Sequence, residues 1–504
     1  MSRIERIALR TAVFAAGALL MALEVAAFRI IGKTFGTALR ETTTVIAVFL
    51  AAMSAGYWAG GRVADRRPVS ATLVATLLAA AASLLAVPWI DAAFSPRIAS
   101  SGLALATHAF VATSILFAIP AFLLAATSPI AIRLFATSTG ESGSTAGSIS
   151  AISTAGSIAG SLITAFFLID WLASITRTVL FVALGTALTA VLVAVAGRSS
   201  VRRGWVAVAA LAAICAAVCA VVYLRSTSLD RVLASPVPGT HMLYVADSPY
   251  HRLTVRDRGV YRELYFNIAK QSRMRVSDPS GPGLSYTAAF HIAPLMRPKI
   301  RRVLMIGLGG GTSAKQYLRA YPDVTIDAVE VDPLVVRVAR RWFAVPDSDR
   351  LQIHIADGRT FLRRSSERWD LIIVDAYTTN RYGDTIPAHL TTREFFGEVR
   401  GHLAEGGIVH FHCAFQRSLV LAAIERTLRA SFSSVLRTEG ELLASDVPLI
   451  LDRAALKAAA RTSPVATLPA LDSAIAALTA EPFPADAPLL TDDYAPVDTL
   501  IYGR

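Results

Sequence analysis

Residues 303–318 read VLMIGLGGGTSAKQYL, an apolar run that ends in a cluster of glycines. Gly307, Gly309 and Gly311 carry no side chain, so the backbone there can approach a ligand closely. Polar residues from Thr312 onward can begin a helix, and the first turn of a helix offers backbone N–H groups to a ligand. The stretch therefore predicts a strand, a tight turn and a helix, with a ligand held at the turn.

Four further β-rich segments follow the glycine turn and alternate with stretches of helical character. They read VTIDAVEVD, LQIHIAD, WDLIIVDAY and GGIVHFHC. Strands that alternate with helices indicate a doubly wound sheet of parallel strands. We therefore predict a Rossmann-like α/β domain over residues 298–450.

Acidic residues stand where these predicted strands end. Glu330 ends the second strand, 19 residues after Gly311, which is close to the offset at which an acid binds a ribose diol. Asp357 and Gly358 end the third strand, and Asp375 ends the fourth. Any one of these acids could be a helix N-cap or a solvated loop carboxylate. Together at the carboxyl edge of one sheet, they predict a nucleoside site.

The chain before the glycine turn changes character twice. Residues 250–274 alternate polar and apolar side chains around a glycine, a pattern typical of antiparallel strands. We predict a small antiparallel β unit over residues 240–280. With the Rossmann-like domain and a C-terminal tail over residues 451–504, it makes up residues 227–504.

Residues 1–226 are far more apolar than the rest. Hydrophobic residues make up 54% of the chain, and its mean hydropathy is +0.51. Segments of roughly 19 to 25 apolar residues are long enough to cross a hydrocarbon core of about 30 Å. We predict a multi-pass transmembrane helical domain in the cell membrane with about seven spans, at residues 11–31, 43–61, 71–90, 103–127, 147–169, 174–196 and 205–224.

The charge distribution bears on partners and orientation. Residues 1–225 hold 16 Lys and Arg against 7 Asp and Glu, whereas residues 226–504 hold 33 against 30. Because the basic excess lies in the apolar half, no nucleic-acid partner is expected. The arginines between spans favour a cytoplasmic N-terminus. Seven spans would then place residues 227–504 outside, although a cytoplasmic metabolite requires a cytoplasmic domain, and this conflict stays open.

Metal chemistry finds no support in the sequence. Cys215, Cys219 and Cys413 show no spacing typical of metal ligands or of a disulfide framework. We therefore predict no metal site.

Residues 241–420 resemble the spermidine synthase family of aminopropyltransferases. The matching pieces are GLGGGTSAKQYL, VEVDP, DGRTFL, DLIIVDAY and IPAHLTTREFF. The order of the two halves, and TDDYAPVD at residues 491–498, resemble the membrane-fused branch of that family. The resemblance implies an S-adenosylmethionine-type Rossmann fold and a homodimer through the soluble domain.

The resemblance also implies a reaction and roles for individual residues. The family transfers an aminopropyl group from decarboxylated S-adenosylmethionine, a co-substrate and not a tightly bound cofactor, to an amine, and methylthioadenosine leaves. Asp375 matches the acid that helps to deprotonate the amine, which a positioned carboxylate can do. The resemblance assigns contacts with the nucleoside to Gly307, Gly309, Gly311, Thr312, Glu330, Asp357, Gly358, Gln271 and Pro387. It assigns contacts with the amine substrate to Tyr250, His251, Tyr286 and Thr378.

Four positions depart from the family pattern. Thr312, Ala288 and Thr378 stand where the family has carboxylates, and His251 stands where it has a glutamine. Each charge-assisted hydrogen bond to a cationic amine is worth roughly 1.5 to 3 kcal/mol. Asp384 and Glu263 are candidates to replace the missing acids.

Two alternatives remain open at this stage. Threonine at position 312 does not repel the carboxylate of intact S-adenosylmethionine, so a methyltransferase or another S-adenosylmethionine-dependent transferase fits as well. Glu24 lies inside the first predicted span, where ionisable side chains often mark a transport pathway, so a transporter or sensor with a non-catalytic nucleoside-binding domain is the other alternative.

Overall fold

The computed structural model of the chain describes residues 2–35, 39–66, 70–99, 101, 105–135, 142–172, 174–197, 202–225, 239–267, 269–380, 383–415, 418–438, 440–484 and 486–502. The chain divides into two compact units. The first comprises Met1–Val237 and Val245–Pro249, and the second comprises Pro238–Tyr244 and Tyr250–Arg504.

Long apolar helices build the first unit. They are α1 (Arg3–Phe35), α2 (Leu39–Arg66), α3 (Ser70–Ala99), α4 (Leu105–Phe135), α5 (Ser142–Ile163), the short α6 (Ile169–Leu172), α7 (Ile175–Ala196) and α8 (Arg202–Leu224). Within the described ranges, six helices are long and apolar enough to cross a membrane, with mean hydropathies of 1.4 to 2.6. The seventh predicted segment lies in α8, where Ala212–Leu224 form a shorter apolar helix.

Small residues allow α1 and α5 to pack at backbone distance. A Cβ on Gly156 would lie 2.1 Å from the carbonyl oxygen of Phe14, and one on Gly160 would lie 2.1 Å from that of Ala18. Glycines four residues apart therefore form one face of α5 against α1, as in close-packed helices of membrane proteins.

A four-stranded antiparallel sheet opens the second unit. Its strands pair in the order of the chain, and Gly259, at φ +58°, turns the second strand into the third. Apolar side chains on one face, such as Val255 and its cross-strand partner Leu264, are buried. The strands are β1 (Thr240–Asp247), β2 (Arg252–Arg258), β3 (Tyr261–Phe266) and β4 (Ala269–Arg275).

A seven-stranded sheet follows, after a 3₁₀ segment at Ser285–His291 and α9 (Ile292–Met296). Its strands are β5 (Arg302–Ile306), β6 (Thr325–Glu330), β7 (Leu351–Ile355), β8 (Trp369–Val374), β11 (Leu403–His412), β12 (Ser434–Arg437) and β13 (Glu441–Ser445). They lie in the order β12-β13-β11-β8-β5-β6-β7. The five strands predicted from the sequence run parallel, and β13 is antiparallel to both β11 and β12.

Helices connect the first six of these strands, as a doubly wound sheet requires. They are α10 (Thr312–Ala320), α11 (Pro333–Trp342), α12 (Gly358–Arg364), α13 (Arg393–Gly401) and α14 (Leu419–Ser431). Three more helices follow the last strand: α15 (Arg453–Thr462), α16 (Leu471–Ala477) and α17 (Val497–Tyr502). A small hairpin of β9 (Thr378–Asn380) and β10 (Gly383–Thr385) interrupts the pattern. The predicted fold class is confirmed: a helical region, a small antiparallel β unit and a Rossmann-like domain.

The centre of this sheet decides where a ligand can bind. Val303, Leu304, Leu371 and Ile372 of β5 and β8 have no exposed surface, because helices cover both faces of the sheet. The chain leaves β5 toward β6 on one side and returns to β8 on the other. Such a reversal opens a crevice at the carboxyl ends of the two strands.

Candidate active site

A cavity of about 240 Å³ lies in this crevice, at the carboxyl ends of β5, β6 and β8. It brings together twelve of the residues singled out from the sequence. They are Tyr250, His251, Gln271, Tyr286, Gly307, Gly309, Thr312, Glu330, Asp357, Gly358, Asp375 and Pro387.

Of the two remaining predicted site residues, Gly311 is not among the lining residues that the structure describes. Gly311 packs toward Val345, where a Cβ would lie 2.3 Å from a side-chain methyl group. Gly311 therefore allows the backbone to turn close to Val345, with φ at +66°, directly before the first residue of α10. Thr378 begins β9, and its side chain lies outside the described part of the structure.

The glycine turn has a shape that a larger residue could not adopt. Gly307 has φ +105°, and a Cβ there would lie 2.1 Å from the carbonyl oxygen of Asp375. From the other side, the backbone N–H of Gly310 donates to Ser272 Oγ at 2.8 Å, which ties the turn to β4. The turn thus joins the end of β8 to the antiparallel sheet and leaves its backbone facing the cavity.

Glu330 connects the end of β6 to the same turn. Its Oε2 accepts hydrogen bonds from the backbone N–H groups of Leu308 at 3.2 Å and Gly309 at 3.4 Å, and its Oε1 accepts one from Asp332 at 3.1 Å. Burial raises the pKa of this carboxyl group, whereas these backbone donors lower it. The group lines the cavity at 7% exposure, where a carboxylate can accept hydrogen bonds from hydroxyl groups.

Asp357 has both a structural and a cavity-facing role. Its Oδ1 accepts the backbone N–H of Thr360 at 2.9 Å, so it caps α12 as the alternative interpretation of the sequence suggested. Its Oδ2 accepts a hydrogen bond of 2.8 Å from His389 Nε2. That hydrogen bond, with the cap, holds the pKa of Asp357 well below its usual range. A carboxylate is thus present here at any physiological pH.

Sequence reasoning missed His389. It lies in a 3₁₀ turn, Ala388–Leu390, directly after Pro387, and it lines the cavity opposite Asp357. The only signal was its place inside IPAHLTTREFF, one of the matching pieces.

Asp375 follows β8, next to the glycine turn. Its backbone N–H donates to the carbonyl of Ile306 at 2.9 Å, and its Oδ2 accepts the hydroxyl of Tyr286 at 3.1 Å. The ring of Tyr286 stacks on that of His412, with centroids 4.0 Å apart and 7° between the planes. A carboxylate so oriented can accept a proton from a group bound in the cavity.

Behind Tyr286 lies a buried cluster of ionisable side chains that the sequence analysis did not identify. Glu441 lies 2.6 Å from His412 Nδ1 and 3.1 Å from His410 Nε2, and all three residues are buried. Burial raises the pKa of Glu441 to about 7. His410 and His412 are two residues apart in β11, so both lie on one face of the sheet. Their partner became apparent only from the structure, in which His412 pairs with Glu441 of the neighbouring strand β13.

The antiparallel sheet supplies another wall of the cavity. His251 is 7% exposed and stacks on Phe266 at 4.6 Å, and both residues line the cavity. Gln271 of β4 faces the same space, and Tyr250 is 47% exposed near the entrance. Aromatic side chains dominate this end of the site.

The two candidate replacements for the missing acids differ in outcome. Glu263 does not line the cavity, because Lys270 at 2.6 Å and the Tyr265 hydroxyl at 2.9 Å bind its carboxylate on the antiparallel sheet. The side chain of Asp384 lies outside the described residues. Ala288, where the family has a carboxylate, is buried in the 3₁₀ segment.

Known proteins share this part of the chain. Residues 285–451 match the family model of the spermine/spermidine synthase domain. A polyamine aminopropyltransferase from Vibrio vulnificus (strain CMCP6) is 30% identical over 176 residues, which cover 33% of this chain and 58% of that protein. A probable polyamine aminopropyl transferase from Bifidobacterium longum (strain NCC 2705) is 29% identical over 241 residues, or 47% of this chain and 51% of that protein. The alignments thus span between one half and three fifths of these relatives.

A solved structure is similar over a comparable region. The probable spermidine synthase from Corynebacterium glutamicum ATCC 13032 shares 20% sequence identity, with a TM-score of 0.39, over 46% of this chain and 89% of that one. The match to the spermine/spermidine synthase model thus falls within the Rossmann-like part of the chain, and an N-terminal helical region precedes it.

Proposed function

We propose that the chain is a membrane-anchored aminopropyltransferase that uses decarboxylated S-adenosylmethionine and a diamine such as putrescine. One observation carries the proposal: in a spermine/spermidine synthase domain, Asp375 faces the same cavity as Glu330 and Asp357, with its carboxylate bound by Tyr286. The three acids occupy neighbouring strand ends, as a nucleoside with a reacting group beside it requires.

The reaction is a nucleophilic displacement. The lone pair of an uncharged amine nitrogen forms a bond to the methylene carbon beside the sulfonium, and the carbon–sulfur bond breaks with its electron pair passing to sulfur. Methylthioadenosine leaves, and the extra proton on the new secondary amine passes to Asp375. The Tyr286 hydroxyl orients the carboxylate by its 3.1 Å hydrogen bond, which directs it toward a group bound in the cavity.

The nucleoside would lie across the carboxyl ends of β5, β6 and β7. Glu330 would accept hydrogen bonds from the ribose hydroxyl groups, and Asp357 with Gly358 would contact the adenine. Gly307, Gly309 and Thr312 would form the floor, with Gln271 and the Pro387 loop at the sides. All of these residues line the cavity, which supports this placement.

The acceptor would occupy the aromatic end of the cavity. Tyr250, His251 and Tyr286 line that end, and we expect Thr378 to contact the acceptor as well. Aromatic rings bind ammonium groups through their negative faces, so they can receive a cationic amine with few carboxylates present.

One observation favours a second candidate function, transfer from intact S-adenosylmethionine. Thr312 lines the cavity as the first residue of α10. A hydroxyl group at the start of a helix accommodates a carboxylate, whereas the acid that the family has there would repel it. Methyl transfer, or another transfer to a different acceptor, would use the same nucleoside site.

Donor binding and product analysis test the proposal. Calorimetry on the full chain in detergent should show tighter binding of decarboxylated than of intact S-adenosylmethionine, and mass spectrometry should show methylthioadenosine and an aminopropylated amine. Asp375→Asn should lower turnover roughly 100-fold or more, because the amine proton loses its acceptor, while methylthioadenosine binding stays near normal. Asp323→Asn, at an exposed carboxylate, is the matched control.

Tighter binding of the intact donor, with a methylated product, would contradict the aminopropyl transfer and favour the second candidate. Undiminished turnover by Asp375→Asn would remove Asp375 as the proton acceptor.

The helical region and assembly complete the proposal. We infer a multi-pass protein of the cell membrane with its synthase domain in the cytoplasm, and a homodimer formed through that domain. Six helices that are long and apolar enough to cross a bilayer support the multi-pass membrane location, by length and composition. The partners would be the lipid bilayer and a small amine, without nucleic acid, metal or a tightly bound cofactor.

A further inference from the structure

Residues Leu490–Tyr494, which we call the clasp, return to the nucleoside end of the cavity. The backbone N–H of Arg393 donates to the carbonyl of Leu490 at 2.9 Å, and the backbone N–H of Asp492 donates to Glu394 at 3.0 Å. Thr491 and Tyr494 close a turn through two mutual backbone hydrogen bonds of 3.0 Å. The clasp is therefore held to the start of α13 through Leu490 and Asp492, and its own turn keeps it compact.

The carboxylate of Asp492 points from the clasp to a buried arginine. Arg359, 133 residues earlier in the chain, donates from Nη1 to Oδ1 at 2.7 Å and from Nη2 to Oδ2 at 2.8 Å. Thr392 donates its hydroxyl to the same Oδ1 at 2.7 Å. Two parallel hydrogen bonds fix the guanidinium in orientation as well as in place.

Arg359 has further partners, and together they determine its position. Its Nε and Nη2 donate to Glu398 of α13 at 2.8 to 3.1 Å. Its Nη1 also donates to the backbone carbonyl of His389 at 3.2 Å. The side chain is only 7% exposed. A buried guanidinium that loses one carboxylate keeps its charge, so it must move toward its remaining partners or toward water.

Two walls of the cavity depend on this arginine. It follows Gly358 directly in the first turn of α12, so it is attached to the wall that contains Asp357 and Gly358. Through the carbonyl of His389 it also holds the opposite wall, where Pro387 and His389 lie. The hydrogen bond between His389 and Asp357 spans the same gap.

We propose that Asp492 is a positioning residue for the nucleoside: by fixing Arg359, it sets the distance between the Asp357 wall and the His389 wall of the cavity. The role rests on the proposed function, since it takes the nucleoside to bind between these walls. Asp492 does not line the cavity, whereas the reacting end is held separately by Tyr286 on Asp375. Loss of Asp492 should therefore weaken nucleoside binding and leave the chemical step nearly unchanged.

The chain offers a matched control in the next residue. Asp493 is exposed, and it has no hydrogen bond or ion pair among the residues that the structure describes. Asp492→Asn and Asp493→Asn remove the same charge one residue apart, so any difference between them reports on the Arg359 contact and not on net charge.

The experiment measures methylthioadenosine affinity by calorimetry, and KM and kcat for the donor, on the full chain. Asp492→Asn should bind methylthioadenosine roughly tenfold more weakly, with a similar rise in the KM for the donor and a kcat within about twofold of normal. Asp493→Asn should match the unsubstituted chain. Asp492→Glu, which retains the charge, should recover part of the affinity even if Asp492→Asn proves too unstable to purify.

The outcomes separate the two proposals. A chain without substitutions that fails to bind methylthioadenosine would overturn the proposed function. Equal affinities of Asp492→Asn and Asp493→Asn, or a fall in kcat with KM unchanged, would overturn the positioning role while leaving the proposed function intact.

Discussion

At the scale of single residues, the site contains two kinds of ionisable group. Asp357 is held as a carboxylate by His389, whereas burial raises the pKa of Glu441 to about 7. The ionisable groups that face Glu441 are His410, His412, Tyr377 and Cys413. Glu441 thus changes charge near neutrality, directly behind the Tyr286 ring that orients Asp375.

Glu441 should make stability depend on pH. Its pKa in the folded chain lies above the unfolded value of 4.5, so the folded state binds the proton more tightly. The stability that Glu441 contributes is complete below about pH 4.5 and is lost as the pH rises through about 7. We expect the melting temperature of Glu441→Gln to fall less between about pH 5 and pH 8 than that of the unsubstituted chain.

Differential scanning fluorimetry across that range, with the exposed Glu405→Gln as the control, measures the effect. Parallel curves for Glu441→Gln and the unsubstituted chain would contradict the raised pKa.

The residues that the sequence revealed and those that it hid differ in a physical way. Glu330 ends a strand, and Asp357 and Asp375 follow strands, so the alternation of strands and helices was enough to predict their common edge. His389, His412 and Glu441 depend on contacts across the fold, such as the antiparallel register of β11 and β13. No local pattern encodes that register. The roles of the individual residues remain predictions.

At the scale of elements, the connection from β5 to α10 is the most constrained. Gly307 occupies a left-handed conformation and touches the backbone at Asp375, so it fixes the distance between β5 and β8 at the cavity. The sequence predicted this element because glycines and an apolar run are both local signals. The antiparallel strands β12 and β13 and the β9–β10 hairpin were not predicted, since nothing local distinguishes their direction.

Gly307→Ala should therefore damage both stability and binding. The strained backbone conformation alone costs about 1 to 3 kcal/mol, and a Cβ 2.1 Å from the Asp375 carbonyl oxygen forces the strands apart. We expect a lower melting temperature and loss of methylthioadenosine binding.

Gly397→Ala is the matched control, because a Cβ there meets nothing within 4 Å and alanine favours a helix by about 1 kcal/mol. A Gly307→Ala chain as stable as the control would contradict the geometry of the turn.

At the scale of the whole molecule, the chain joins two units of different composition. Apolar segments predicted the helices of the first unit because length and hydropathy are local properties. The number of spans that would enter a bilayer is harder to predict, since six helices qualify by length and hydropathy among the described residues, whereas the side chains of residues 202–209 and 211 in α8 lie outside the described part of the structure. In the membrane protein that we propose, span number would decide the side of the membrane on which residues 227–504 lie.

The proposed orientation can be measured directly. We expect a fluorescent protein fused after Arg504 to fluoresce in membrane-bound form and alkaline phosphatase at the same site to be inactive, because the proposed substrates are cytoplasmic metabolites. Detergent should extract the protein from membranes, whereas alkaline carbonate should not. Active phosphatase with a dark fluorescent protein would place residues 227–504 outside and contradict the proposed substrates.

The contact between Arg359 and Asp492 also has a consequence for synthesis of the chain on the ribosome. Asp492 lies 133 positions after Arg359, and the chain must be made to that point before the two side chains can meet. Every apolar helix of the first unit emerges earlier than either of them. In the membrane protein that we propose, the nascent chain would commit its helices to a bilayer long before the walls of the cavity acquire their final spacing.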